Sequence, residues 1–171
     1  NQEEMIMDIP VIGGLEKLSN FDNKEYSLAL AIGDNTMRKK IKILTEDKKY
    51  DFPNLVHPLA YVDSNIDIGI GNVISCFSFI GPMVKIGDFN IINTDAKLEH
   101  DVVLGNFNHI APSSTVCGRV HINNEVLLGA GSVVIPKIKI TSKVTIGANA
   151  TLVKDITKQK SIHVGTPAIE K

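Results

Sequence analysis

Five histidines are the side chains in this sequence best suited to move a proton near neutral pH, because imidazole titrates in that range. One of them, His100, lies between Glu99 and Asp101. A carboxylate bonded to one ring nitrogen would fix the tautomer and leave the other nitrogen able to accept a proton. His100 and Asp101 are therefore a candidate general base and its partner, although the pair by itself is more typical of a solvated surface.

The other histidines have weaker surroundings. His57 adjoins a proline and is predicted to be structural, His121 has no acidic neighbour and is predicted to lie on the surface, and His163 belongs to the C-terminal tail. His109 follows His100 by nine residues. Whether these two rings can share a site depends on how the chain coils.

A six-residue repeat dominates the chain from residue 56 to residue 157, and repeats of this kind decide the whole fold. Seventeen positions at steps of six are all Ile, Val or Leu, with no insertion. They are Val56, Val62, Ile68, Ile74, Ile80, Ile86, Ile92, Leu98, Leu104, Ile110, Val116, Ile122, Leu128, Val134, Ile140, Ile146 and Leu152.

The position four residues after each of these shows a second period of eighteen. Residues of this position that lie eighteen apart form three classes. The first class is always Ala or Ser, and the second is always Ile or Val. The third class consists of Asn72, Asn90, Asn108, Val126 and Val144. The simplest geometry is a triangular solenoid with three short strands per coil, in which residues eighteen apart stack at the ~4.8 Å strand spacing. The asparagines are predicted to form an internal hydrogen-bonded ladder, and the repeated glycines to lie at the corners where the chain bends.

Stacking gives two further expectations about the histidines. Gly118 lies one coil after His100, so it could leave space for the imidazole and offer a backbone N–H to a developing oxyanion, or it could simply be a corner glycine. His109 lies half a coil from His100, so one subunit would not direct both rings into one pocket. A shared site would therefore need a neighbouring subunit.

Residues 1–55 have a different pattern. They suggest a turn or strand at Ile9–Gly14, a helical turn at Leu15–Leu18, a buried strand at Tyr26–Ile32 and a helix at Thr36–Glu46 with Met37, Ile41 and Leu44 on one face. This β-α-β pattern predicts a partial α/β, Rossmann-like domain that is too short to be complete. Either the domain is degenerate, or, as we expect, an opening segment of it is missing from this sequence.

The composition excludes several function classes. The chain has 171 residues with 18 basic and 19 acidic side chains, so no basic surface for nucleic acid is indicated. No apolar run approaches the roughly 20 residues of a membrane span. Only two cysteines are present, which indicates a reducing, cytoplasmic setting. Aromatic residues make up only 5%, as expected for repeated, uniform packing.

One segment carries a more specific resemblance. The run NTDAKLEHDVVLGNFNH at 93–109 resembles the hexapeptide-repeat acyltransferases that include the sialic acid O-acetyltransferases and the bacterial nucleotide-aminosugar N-acetyltransferases. The likeness extends to Ala31–Asn35 with Arg38, to the pair Cys117-Gly118, and to the tail Val164–Ala168. It implies a left-handed parallel β-helix over 56–157, preceded by the partial domain at 1–55 and followed by a tail at 158–171.

The resemblance also implies roles for individual residues. His100 would be the general base and Asp101 the carboxylate that orients it, where other members often have Glu. His109 would lie near the acetyl group, Gly118 would donate a backbone hydrogen bond to the thioester carbonyl, and Asn93 would lie close to the acceptor sugar. Ala130 and Ala148 would offer backbone N–H groups to the pantetheine arm of the coenzyme.

The implied activity is transfer of acetyl from acetyl-CoA to the amino group of a nucleotide-linked aminosugar in bacterial glycan or glycoprotein synthesis. The transfer would be direct and need no metal, in a homotrimer with sites between subunits, so Cys117 is expected to be a corner residue. Three alternatives remain: O-acetylation of sialic acid or another sugar hydroxyl, an inactive truncated scaffold, and a zinc hydratase. The last would need three converging histidines, and the spacing of the histidines at 100, 109 and 121 does not match that group.

Overall fold

The repeat region forms a three-sided parallel β-solenoid in the computed structural model, which describes residues 5–171. Each coil contributes one two-residue strand to each of three sheets, here called the first, second and third faces. The first face contains β3 (Leu55–Val56), β6 (Val73–Ile74), β9 (Ile91–Ile92), β12 (His109–Ile110), β15 (Leu127–Leu128), β18 (Thr145–Ile146), β20 (Ile162–Val164) and β21 (Ile169–Glu170).

The other two faces repeat the same arrangement. The second face contains β4 (Tyr61–Val62), β7 (Phe79–Ile80), β10 (Lys97–Leu98), β13 (Thr115–Val116), β16 (Val133–Val134) and β19 (Thr151–Leu152). The third face contains β5 (Asp67–Ile68), β8 (Lys85–Ile86), β11 (Val103–Leu104), β14 (His121–Ile122) and β17 (Lys139–Ile140). Lys97 pairs with Phe79 and Thr115, so the predicted eighteen-residue register is confirmed. The left-handed sense of the coil stays a prediction from the resemblance.

The aliphatic column lines the interior of the prism, as predicted. From Ile74 onward these side chains are buried, whereas Val56 is half exposed because it belongs to the first coil. The main core cluster contains no aromatic ring among the described residues. Small and β-branched side chains four positions later complete this core, which explains the aromatic-poor composition.

The asparagine ladder is confirmed. Asn72, Asn90 and Asn108 are fully buried. The Oδ1 atom of Asn72 accepts hydrogen bonds from the backbone N–H of Asn90 at 2.8 Å and from its Nδ2 at 3.1 Å. Asn108 bonds to Asn90 in the same way, and Val126 donates its N–H to Asn108. The polar side chains therefore satisfy one another inside an otherwise apolar prism.

The reason given for the corner glycines needs correction. A Cβ atom on Gly87 would lie 2.8 Å from the carbonyl oxygen of Gly105 in the next coil, so glycine there allows two coils to approach. The left-handed backbone conformation instead falls at another corner position, with φ between 54° and 69° and mostly without glycine. It occurs at Gly71, Phe77, Met83, Phe89, Asp95, Asp101, Phe107, Ser113, Arg119, Glu125, Gly131, Lys137, Lys143 and Asn149.

The N-terminal segment departs from the predicted β-α-β layout, and residues 1–4 of the predicted domain lie outside the described residues. An antiparallel pair, β1 (Met5–Ile6) and β2 (Ile9–Pro10), precedes a 3₁₀ helix at Leu15–Asn20. The strand predicted at Tyr26–Ile32 is wrong, because Leu28 makes a single backbone bond to Asp51 and no ladder follows. A Rossmann-like domain is not seen in residues 5–54.

The predicted helix is present as α1 (Asn35–Leu44), followed by a 3₁₀ turn at Glu46–Lys48. It begins one residue early because the side chain of Asp34 accepts a hydrogen bond from Met37 N–H. The predicted apolar face is only partly correct: Ile41 packs against the smaller core cluster, but Met37 and Leu44 are 46% and 57% exposed, whereas Arg38 is buried. Arg38 is held against the solenoid corner between the third and first faces.

Candidate active site

The pair His100 and Asp101 lies at the corner between the second and third faces, just after β10. Nδ1 of His100 is 2.8 Å from Oδ2 of Asp101. An ionised carboxylate only accepts, so Nδ1 carries the proton and Nε2 keeps its lone pair. Asp101 has φ near 60°, a conformation that aspartate tolerates better than most residues. Half of each side chain is exposed, so the imidazole is accessible from solvent.

Gly118 makes room for the imidazole. It is buried, and a Cβ atom there would lie 2.5 Å from Nε2 of His100 and 2.6 Å from its Cε1. Of the two interpretations open from the sequence, the space for the ring is therefore confirmed. No acceptor among the described residues takes the N–H of Gly118, which leaves that donor beside the base.

His109 lies on the first face, in β12, and both of its ring nitrogens are engaged. Nδ1 is 3.1 Å from the carbonyl oxygen of Gly33, and Nε2 is 3.1 Å from Nδ2 of Asn93. Because a carbonyl only accepts, Nδ1 carries the proton, and Nε2 accepts from the amide of Asn93. The orientation of that amide follows from Thr94, whose backbone N–H donates to Oδ1 of Asn93 at 2.8 Å.

The surroundings of His109 favour its neutral form. Burial lowers the pKa of the ring, and the positive charge of Arg38 lowers it further, while the hydrogen bond to Gly33 acts in the opposite direction. The neutral ring can then keep both hydrogen bonds at neutral pH.

A cavity of about 650 Å³ opens beside His109, between the start of α1 and the first face. Its lining includes the segment Gly33–Thr36 and, from higher coils, Glu125, Leu127, Lys143 and Thr145. The cavity thus places polar groups and lysine ammonium groups next to the imidazole.

Ala130 and Ala148 lie at a different corner, the one between the first and second faces. They follow β15 and β18, both are exposed, and they stack one coil apart. No acceptor within residues 5–171 takes either backbone N–H. Within that range the two N–H groups therefore remain unpaired along one edge of the prism.

The predicted residues fall into two groups in one chain. His100, Asp101 and Gly118 share the corner between the second and third faces. Asn93, His109, Ala130 and Ala148 gather on the first face and at its corner with the second, where Asn93 touches His109. The structure thus joins residues within each group and does not join the groups to each other.

Two residues near His109, Gly33 and Arg38, belong to stretches that carry the family resemblance, but no role was assigned to them from the sequence. The carbonyl of Gly33 carries no side-chain signal. Arg38 lies three positions before Ile41 on the inward side of α1, and the helical pattern, which assigned the inward face to Met37, Ile41 and Leu44, carried no signal of its burial.

No protein-family model and no curated protein matches the chain. Several solved structures are similar to it. The acetyltransferase domain of PglB from Neisseria gonorrhoeae is 29% identical, with a TM-score of 0.94 over 99% of this chain and 83% of that one. PerB from Caulobacter crescentus, solved with CoA and GDP-perosamine, is 32% identical, with a TM-score of 0.93 over 97% of this chain and 80% of that one.

The chain belongs to the hexapeptide-repeat sugar acetyltransferases. WeeI from Acinetobacter baumannii, at 22% identity and a TM-score of 0.91 over 98% of this chain and 81% of that one, shares the fold. The chain is accordingly an acyltransferase, and the family prediction from the sequence is confirmed.

Cys117, which precedes Gly118 in this acetyltransferase, is poorly suited to attack a thioester. Burial raises the pKa of the Cys117 thiol, and the neighbouring charge of Glu99 raises it further. A protonated thiol is a weak nucleophile. The corner therefore does not activate the Cys117 thiol.

The side chains of the remaining histidines form no hydrogen bond with either group among the described residues of the acetyltransferase. Nδ1 of His57 accepts from Leu59 N–H, His121 is exposed on the third face, and His163 contacts Ser161 in the tail. Within residues 5–171 no three His, Cys, Asp or Glu side chains are grouped as metal ligands would be. In the same range no helix is long and apolar enough to cross a membrane.

Proposed function

We propose that this acetyltransferase transfers the acetyl group of acetyl-CoA to the amino group of a nucleotide-linked sugar. The observation that carries the proposal is the His100–Asp101 pair, with Nε2 of the ring held over Gly118. Two neighbours support the substrate classes, since PerB was solved with CoA and GDP-perosamine and the PglB domain with acetyl coenzyme A.

In the proposed reaction the sugar nitrogen attacks the thioester carbonyl carbon while Nε2 of His100 takes a proton from that nitrogen. Asp101 holds Nδ1–H and stabilises the imidazolium that forms. The C–N bond forms and the C–S bond breaks, so that CoA leaves as a thiolate and receives the proton from His100. The products are the N-acetylated sugar and CoA, and no outside reactant is needed.

Backbone donors complete the proposed chemistry. The free N–H of Gly118 would stabilise the oxyanion of the tetrahedral intermediate, because it lies beside the base and has no internal acceptor. The N–H groups of Ala130 and Ala148 would bind the carbonyl groups of the pantetheine arm. His109 would lie near the acetyl group, and Asn93 near the acceptor sugar.

A complete site would form between copies of the chain in a homotrimer. The two groups of residues lie at different corners of one prism, so a cyclic arrangement can bring the His100 corner of one copy against the first face of the next. Three equivalent interfaces would then form three sites. This arrangement accounts for the separation of His100 from His109 without any movement within a chain.

The test is CoA release from acetyl-CoA with nucleotide-linked aminosugars as acceptors, compared for the wild type and His100→Ala. Loss of a positioned general base is expected to lower kcat by about 10²–10⁴-fold. His121→Ala, which changes an exposed histidine on the third face, is the matched control and is expected to retain full turnover.

Two outcomes would contradict the proposal. Undiminished turnover by His100→Ala would exclude His100 as the base. Absence of acetyl-CoA binding to the wild type in calorimetry would exclude the donor site. Parallel assays with sialic acid or another sugar that offers hydroxyl groups but no free amine identify the acceptor atom, because the same base serves oxygen and nitrogen.

A further inference from the structure

Arg38 is a buried positive charge with an unusual set of partners. It is 1% exposed, and no carboxylate of the described residues forms an ion pair with it. Burial lowers the pKa of the guanidinium to about 10, partly offset by Asp34, so the group stays charged at neutral pH. A buried charge without a counter-ion is costly unless hydrogen bonds satisfy it, which suggests a specific use for this one.

The guanidinium joins the N-terminal segment to the solenoid. Nε donates to the carbonyl of Phe89 at 2.9 Å, and Nη2 donates to the carbonyl of Asn108 at 3.0 Å. On the other side, Nη1 donates to the carbonyls of Ile32 at 2.7 Å and Gly33 at 3.2 Å. A lysine ammonium is a compact charge and lacks the planar fork that reaches both sides.

The carbonyl of Gly33 is the point at which this arrangement meets His109. Its oxygen accepts from Nη1 of Arg38 and also from Nδ1 of His109, using both of its lone pairs. Arg38 therefore fixes the position of the acceptor that decides which ring nitrogen of His109 is protonated. The solenoid supplies the other contact, from Asn93 to Nε2.

We propose that Arg38 is a positioning residue for His109, acting through the Gly33 carbonyl to hold the imidazole in its Nδ1–H tautomer. The inference rests on the proposed function, in which His109 lies beside the acetyl group. Nε2 then accepts from Nδ2 of Asn93, so the ring is held from both sides in a single orientation and tautomer.

The electrostatic surroundings act in the same direction. Burial and the charge of Arg38 both lower the pKa of His109, so that the ring remains neutral. The other charged groups that line the same cavity are Asp34, Glu125, Lys143 and Lys160. Lys39 bonds Glu125 at 2.6 Å, which reduces the effect of that carboxylate on the ring.

The test compares wild type with Arg38→Lys, which keeps a positive charge and removes the fork. The nitrogen chemical shifts of the His109 ring report the tautomer directly. The signals are assigned to His109 because they disappear in His109→Ala. The expected result is a single Nδ1–H tautomer in the wild type and a mixture of tautomers in Arg38→Lys. In turnover assays kcat is expected to fall by about 10–100-fold, as for a misplaced catalytic group, with little change in KM for acetyl-CoA.

Lys39→Met is the matched control. Lys39 lies next to Arg38 and also ties α1 to the solenoid, through Glu125, but it contacts neither Gly33 nor His109. It is expected to leave the His109 tautomer and kcat close to wild type. Equal effects of Lys39→Met and Arg38→Lys would mean that only the docking of α1 matters, and would overturn the proposal.

A double variant separates positioning from general stability. If Arg38 acts through His109, adding Arg38→Lys to His109→Ala costs no further kcat, and an additional loss in that background would overturn the proposal. Should Arg38→Lys fail to fold, Asn35→Ala removes one 2.7 Å contact of the guanidinium and is expected to give a partial tautomer shift. An unchanged tautomer in the folded variants would overturn the inference.

The tautomer measurement also distinguishes this inference from the proposed function. If the wild-type protein transfers no acetyl group, the proposed function is rejected. The nitrogen spectrum of the His109 ring would still report whether Arg38 controls its tautomer. Normal transfer with an Arg38-independent tautomer would reject this inference and leave the proposed function intact.

Discussion

The imidazole of His100 lies over Gly118, in the volume that a side chain at position 118 would fill. A Cβ atom there would come within 2.5 Å of Nε2 and 2.6 Å of Cε1. The two residues are eighteen apart, so this relationship exists because successive coils stack with that register. Asp101 holds the candidate base on one side. On the other side, Gly118 of the next coil has no side chain, which leaves room for the ring.

Gly118→Ala is expected to displace the imidazole and lower kcat by about 10–100-fold. The ring is half exposed and can rotate away, so the variant should fold with a melting temperature near that of wild type. Steady-state assays with acetyl-CoA and an aminosugar acceptor measure the effect. Cys117→Ala changes the adjacent corner residue and should keep its activity, because the thiol takes no part in direct transfer. Full activity of Gly118→Ala would show that the position of the ring over glycine is irrelevant.

Asp101→Asn should lower kcat by about 10²–10⁴-fold, because an amide no longer holds Nδ1–H against an anion. Asparagine tolerates the positive φ of this position, so the backbone is expected to stay unchanged. Asp101→Glu keeps the charge and serves as the control, with most of the activity retained. Equal losses in the two variants would indicate that the carboxylate has no specific role.

Mixing two inactive chains is expected to restore activity if the site lies between copies. A His100→Ala chain keeps its own His109, and a His109→Ala chain keeps its own His100. In random trimers of equal mixtures, about a quarter of the sites would combine an intact residue from each partner. The two variants are unfolded, mixed and refolded together, and the turnover of this mixture measures the recovery. The same variants refolded separately provide the baseline. No recovery in mixed trimers would place both residues in one chain's site.

His109→Gln is expected to reduce the loss of stability on acidification. Burial lowers the pKa of folded His109, with Arg38 adding to the effect. Between this lowered pKa and the ordinary value of about 6.5, the unfolded state binds more protons, so the free energy of unfolding falls as the pH falls. Urea unfolding at about pH 7.5 and about pH 5.5 should show a smaller difference in the variant than in the wild type. His121→Gln, at an exposed ring, should behave as the wild type, and an equal reduction in that variant would remove the assignment to His109.

The solenoid could be predicted almost entirely from the sequence because each of its features repeats locally. The aliphatic column, the eighteen-residue register and the ladder through Asn90 follow from side-chain type at fixed spacing. The glycines were correctly predicted to lie at corners, but the reason given for glycine at these positions was wrong. Gly87 is needed for the approach of a neighbouring coil, and the left-handed backbone falls elsewhere, at positions such as Asp101.

The N-terminal segment could not be predicted in the same way. Helical periodicity suggested an apolar face through Met37, Ile41 and Leu44, of which only Ile41 packs inward. Arg38 also turns inward, because carbonyl groups of two solenoid corners and of the Ile32–Gly33 segment meet there. Backbone acceptors leave no mark in a sequence. The strand predicted at Tyr26–Ile32 was wrong for a related reason. Its apolar residues have no neighbouring strand to pair with among residues 5–54, and the sequence of the segment itself does not show this.

For this acetyltransferase, the sequence by itself determined the coil, the residues that face its core and the pairing of His100 with Asp101, because all three depend on neighbours at fixed chain separations. The tertiary structure alone decided the space over Gly118, the tautomer of His109 and the partners of Arg38. These depend on backbone groups such as the Gly33 carbonyl, 76 residues from the ring it contacts, and only the folded chain brings such groups together.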